Sequence, residues 1–96
     1  MALRVGVQPI TWFGEVSVTV GQVTGASSKT CTATVPSYIG TDSAVLVTTA
    51  SSMDNGLAIG HAWVSAAGTV SFKVINSTGG NLTPAGDPIT VKILVF

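Results

Sequence analysis

Charged residues are scarce in this sequence, and their scarcity argues against several kinds of partner. Only 8% of the 96 residues are Asp, Glu, Lys or Arg, against about 25% in an ordinary soluble domain, and the formal net charge is zero. Nucleic-acid binding depends on grouped cations that neutralise phosphates, and membrane-surface binding depends on a basic patch. The cations here are spread along the chain, so we expect neither partner. They are Arg4, Lys29, Lys73 and Lys92.

Cysteine pairs and long apolar runs are also missing, and we expect no export signal. The single cysteine, Cys31, allows no internal disulfide and no cysteine-based metal site, and we expect it in the core. No apolar run approaches the ~18 residues that span a bilayer. Met1–Arg4 does not begin a charged and then apolar secretory signal. We therefore expect a protein that is synthesised in a cytoplasm without such a signal.

Residues that carry chemistry are few, and no catalytic or metal-binding pattern joins them. His61 is the only histidine, no serine lies in a nucleophile-elbow pattern, and zinc requires three or four ligands. The acids lie near turn residues, where carboxylates typically accept backbone hydrogen bonds. We predict no catalytic residue, no cofactor and no metal, and hence no enzyme; a small hydrolase with an acid–His61 cleft is the alternative. The acids are Glu15, Asp42, Asp54 and Asp87.

The sequence is rich in segments in which apolar and polar residues alternate, as they do in β-strands. Val70, Phe72 and Val74 share one predicted face and are separated by polar residues. Short strands separated by Gly, Asn and Pro turns predict an all-β fold, a jelly-roll-like antiparallel β-sandwich of about 6–8 strands. Residues 1–14 form an N-terminal arm or edge strand, and residues 15–96 form the sandwich domain. The predicted strands are 15–20, 30–35, 44–49, 57–65, 68–76 and 89–96.

Two predicted strands depart from simple alternation. Residues 44–49 are apolar on both faces, which indicates either a central position in a sheet or a buried interface. In residues 57–65 one face is small, and strict alternation places the large side chains together on the other. These large residues are Leu57, Ile59, His61 and Trp63.

The aromatic residues give the first interface candidates. Trp12 and Phe13 lie outside the well-patterned strands, so they either contact a partner or close one end of this subunit's own core. Tyr38 and Trp63 are expected in the core or at its edge. The arm alternates apolar side chains and could add a strand to a neighbouring molecule. The interface candidates are Leu3, Val5, Val7, Trp12 and Phe13.

The segment from Asp54 to Gly80 has an order of strands and turns that resembles a known class of proteins. Gly56-Leu57 is followed by a strand ending in Val64-Ser65-Ala66, then by Gly68-Thr69-Val70, and then by Asn76 and a threonine. This order resembles β-sandwich modules of tailed-bacteriophage structural proteins, particularly capsid decoration (cement) and head-fibre proteins. The resemblance covers residues 28–96 and marks no active site.

The resemblance implies a structural virion protein on the capsid surface. Such proteins are small and jelly-roll-like, commonly form homotrimers, bind the major capsid protein and stabilise the head against internal DNA pressure. The alternative is a carbohydrate- or receptor-binding module of a phage fibre or tail. In that case Trp12, Tyr38 and Trp63 would contribute an exposed aromatic surface.

Overall fold

The fold is all-β and antiparallel, as the alternation predicts. A computed structural model describes residues 10–50 and 53–96, and these residues form six strands and no helix. The arm residues Leu3, Val5 and Val7 lie outside the described residues. The strands are β1 (Trp12–Val18), β2 (Ser27–Thr34), β3 (Val45–Thr49), β4 (Leu57–Ala66), β5 (Thr69–Asn76) and β6 (Ile89–Val95).

The strands pair into two three-stranded sheets that share one hydrophobic core. Sheet I has the order β1-β6-β3, and sheet II has the order β2-β5-β4. The middle strands β6 and β5 bury every second side chain, and Ile93 and Phe72 are completely covered. Cys31 is buried on β2 as expected, and desolvation by burial raises the pKa of its thiol. Alternate residues thus form the core, and the other half of each strand faces outward.

Strand β1 begins at Trp12, earlier than its alternation indicates. Gly14 interrupts the pattern of large apolar residues on the inward side of β1. A Cβ atom on Gly14 would lie 2.5 Å from the indole ring of Trp12. The glycine therefore makes room for the ring, which packs against the core. Sequence alternation alone cannot show this accommodation, because Gly14 adds no apolar side chain to the pattern.

A β-bulge in β4 makes the predicted face of residues 57–65 wrong. The register between β4 and β5 shifts between Ile59 and Ala62, where two residues of β4 lie opposite the single residue Lys73. A bulge of this kind re-aims the side chains that follow it. Ile59 and Ala62 consequently pack against the core, whereas His61 and Trp63 lie on the outward side of sheet II.

Candidate interaction surface

Three large apolar side chains lie next to one another on the outward side of sheet I. The register places Phe13 of β1 opposite Leu94 of β6, and Leu94 opposite Leu46 of β3. Phe13 is 55% exposed and Leu46 is 54% exposed, while Leu94 is half-buried between them. We call these three residues the apolar strip. It crosses the whole width of the sheet.

The apolar strip has a polar border on one side. The next outward row contains Glu15 and Lys92, whose Oε1 and Nζ atoms lie 3.8 Å apart. Both side chains are well exposed to water, so this ion pair contributes at most about 1 kcal/mol to folding. An apolar centre with a polar rim is the usual composition of a protein–protein interface.

On the other side the apolar surface continues toward the end of the sheet. Phe96 follows β6, and its backbone N–H donates a hydrogen bond of 2.9 Å to the carbonyl oxygen of Ala44. Phe96 is partly exposed and Ala44 is exposed. The outward side of sheet I is therefore apolar at this end and polar at the other.

The apolar character of β3 on both faces does not come from a central position in the sheet. Among the described strands, β3 lies at the edge of sheet I, so the expectation of a central strand is wrong for this part of the chain. Val47 faces the core and is buried, but Leu46 faces outward. Burial within the single chain therefore does not explain a leucine at this position. The alternative expectation for this segment, a buried interface, stays a prediction.

The structure separates the two adjacent aromatic candidates. Phe13 belongs to the apolar strip, whereas Trp12 points inward and packs against the core. The strip also contains Leu46 and Leu94, which were not among the named interface candidates. The apolar residues on both faces of 44–49 were a signal for Leu46. Grouping Leu46 with Leu94 and Phe13 requires the pairing of β6 with β1 and β3, which local sequence does not reveal.

Two further aromatic residues do not lie where they were expected. Tyr38 is 68% exposed, so its expected place in or near the core is wrong. Trp63 is partly exposed and stacks on His61, with ring centroids 4.8 Å apart and planes 18° apart. Because Trp12 points inward from sheet I and Trp63 points outward from sheet II, the two tryptophans do not share one aromatic surface.

A groove beside sheet I contains two of the four acids but not the histidine. This groove of about 330 Å³ is lined by Glu15, Asp54, Thr49 and Thr90 among others, while His61 is on the outward side of sheet II. Among residues 10–50 and 53–96, no group of three His, Cys, Asp or Glu side chains could hold a metal ion. His61 does not line this groove, so the groove is not the acid–His61 cleft of the hydrolase hypothesis.

Within the part of the chain that the structure describes, no helix is long and apolar enough to cross a membrane.

Comparison with known proteins finds no relative of this chain. No protein-family model matches the chain, and no curated protein or solved structure is significantly similar to it. The resemblance to phage decoration proteins therefore rests on the quoted residues alone.

Proposed function

We propose that this chain is a structural virion protein, a capsid decoration protein that binds the outside of a tailed-phage head as an oligomer. The observation that carries the proposal is the apolar strip of Phe13, Leu94 and Leu46. The proposal includes the finer features that the resemblance implies. These are a jelly-roll-like sandwich, a homotrimer, the major capsid protein as partner, a place on the capsid surface, and no catalytic activity.

The size of the apolar strip supports assembly of several copies over binding by a single copy. Fully burying a Phe or Leu side chain contributes about 1.5–3 kcal/mol, so the strip supplies at most roughly 5–9 kcal/mol. Association costs about 4–15 kcal/mol in lost freedom of motion. One contact between copies through the strip is consequently weak, so association rises with concentration. The oligomer formed in this way presents several identical surfaces to the capsid, and effective concentration raises the avidity of that binding by about 10²–10⁴.

The low charge of the chain supports the same function. A broad interface that contains few charges avoids the cost of removing ions from water, and only 8% of the residues here are charged. A protein that binds the assembled lattice and not its separate subunits stabilises the lattice by mass action. The arm with Leu3, Val5 and Val7 precedes the edge strand β1 and could add a strand to a neighbouring molecule.

Mass spectrometry of gradient-purified particles from the phage that encodes the chain tests this function. We expect a copy number comparable to that of the major capsid protein, because decoration proteins occupy sites repeated over the whole head. Absence from the particles would overturn the proposal. A few copies confined to the tail would overturn the capsid location and favour the fibre or tail module.

A further inference from the structure

The outward side of sheet II carries an aromatic pair that the proposed function does not use. His61 and Trp63 stack on each other there, and the bulge between Ile59 and Ala62 is what turns both rings away from the core. Bulges interrupt the hydrogen-bond ladder and recur where a side chain has to be re-aimed for function. Burying the indole would have stabilised the fold, so packing of the core does not explain why the indole faces outward.

The indole of Trp63 lies beside a buried position of the neighbouring strand β5. Ser71 lies directly opposite Trp63 in the register and is only 4% exposed, although it is on the outward side. Its hydroxyl donates a hydrogen bond of 2.7 Å to the hydroxyl of Ser65. The indole thus stands beside a covered and hydrogen-bonded serine of the middle strand. Strand β4 is paired with β5 on both sides of the bulge, so the backbone positions from which the two rings project are fixed.

Within the strands of sheet II, the lysines are the only residues with a formal charge. Strands β2, β4 and β5 contain no Asp or Glu. Lys73 faces outward opposite the bulge, beside His61, and no described acid lies within salt-bridge distance of it. The other lysine of the sheet, Lys29, donates from Nζ to the backbone carbonyl of Val20. Lys73 is thus the ammonium group available to an anionic ligand on this side.

Hydroxyl groups complete the surface. The register places Thr32 beside Ser71 and Thr30 beside Lys73, and both threonines are exposed. Hydroxyls on neighbouring strands lie about 5 Å apart and can both donate and accept hydrogen bonds. Aromatic rings with a few fixed polar groups are typical of small-molecule sites. A ligand that uses all of these groups has an apolar ring face, several hydroxyls and a negative charge.

We propose that the outward side of sheet II binds an acidic saccharide, meaning a sugar chain whose pyranose rings carry carboxylates. A sugar ring packs its C–H face on the His61–Trp63 pair. Its carboxylate accepts a charge-assisted hydrogen bond from the Lys73 ammonium, and the hydroxyls of Thr30 and Thr32 bind the sugar hydroxyls. The site is on the opposite side of the molecule from the apolar strip and does not depend on the proposed function.

Saccharide titration of the full chain tests the site. The probes are oligosaccharides of galacturonate, glucuronate and sialic acid, each compared with a neutral counterpart of the same length by calorimetry and tryptophan fluorescence. We expect saturable binding of at least one acidic probe and at least tenfold weaker binding of its neutral counterpart, with affinity falling as salt rises. Failure of every acidic probe to bind overturns the proposal, and so does equal binding of an acidic probe and its neutral counterpart.

A pair of lysine variants identifies the site. Lys73→Gln keeps most of the side-chain stem and is expected to weaken acidic-saccharide binding about tenfold. The matched control is Lys92→Gln, on the outward side of sheet I, which is expected to bind as the unmodified chain does. His61→Ala is expected to weaken binding through loss of the stacked ring. Unchanged affinity in Lys73→Gln and His61→Ala, with native circular dichroism, places binding elsewhere and overturns the assignment.

Discussion

At the scale of single residues, Asn76 shows how a sequence motif can serve the fold instead of a modification. Asn76-Ser-Thr matches a glycosylation pattern, but Asn76 is only 1% exposed. Its Nδ2 donates to the carbonyl oxygens of Val23 (3.0 Å) and Gly80 (2.8 Å). Its Oδ1 accepts from the N–H (2.9 Å) and the hydroxyl (2.7 Å) of Thr78. The amide thus connects the turn that follows β5 to the backbone at Val23.

We expect Asn76→Asp to lower the free energy of unfolding by about 2–3 kcal/mol. The substitution keeps the shape but removes both donors and places a charge in a buried site. Urea denaturation followed by circular dichroism measures the change. Asn81→Asp is the matched control, because Asn81 is exposed and its Oδ1 only accepts from the N–H of Gly25 at 3.1 Å. Equal destabilisation of the two variants would contradict the role given to Asn76.

At the scale of elements, Asp87 ties the start of β6 to the chain that follows β1. Its carboxylate accepts hydrogen bonds from the backbone N–H groups of Val20 (2.8 Å) and Gly21 (3.0 Å). The sequence predicted that the aspartates serve turns, and here the carboxylate does so across a long separation in sequence. Two backbone donors that have no strand partner are satisfied by one side chain.

Replacing Asp87 by alanine is expected to destabilise the chain by about 1–3 kcal/mol. The substitution leaves the N–H groups of Val20 and Gly21 without their acceptor in a partly buried place. Thermal and urea unfolding measure the loss. Asp42→Ala, at an exposed loop position, is the control and is expected to change stability by under about 0.5 kcal/mol. If Asp87→Ala lowered the free energy of unfolding no more than this control, the stabilising role given to the Asp87 hydrogen bonds would be refuted.

Sequence alternation predicted the strands well but not their partners. Val70, Phe72 and Val74 of β5 are buried together because a period of two is a local property of the chain. The bulge before Ala62 depends on how β4 pairs with β5, and the apolar strip depends on how β3 pairs with β6. These pairings are set by distant segments, so the positions of Leu46 in the strip and of His61 on the outward side could not be predicted.

At the scale of the whole molecule, the two outward sides have different chemistry. The outward side of sheet I carries the apolar strip, and the outward side of sheet II carries hydroxyls, Lys73 and the aromatic pair. A chain with zero net charge has no overall repulsion between copies. Association through sheet I would leave sheet II exposed to a further ligand. We therefore propose that copies of the chain associate through the apolar strip.

The most direct test is the mass of the chain in solution, measured by light scattering over a range of concentrations. We predict that the mass of the 9.7 kDa chain rises with concentration toward that of a trimer. The double variant Phe13→Ser/Leu46→Ser is predicted to remain a monomer. The control variant Tyr38→Ser, at an exposed aromatic outside the strip, is predicted to associate normally. A chain that stays monomeric at every concentration, or a double variant that associates as the unmodified chain does, would contradict the account.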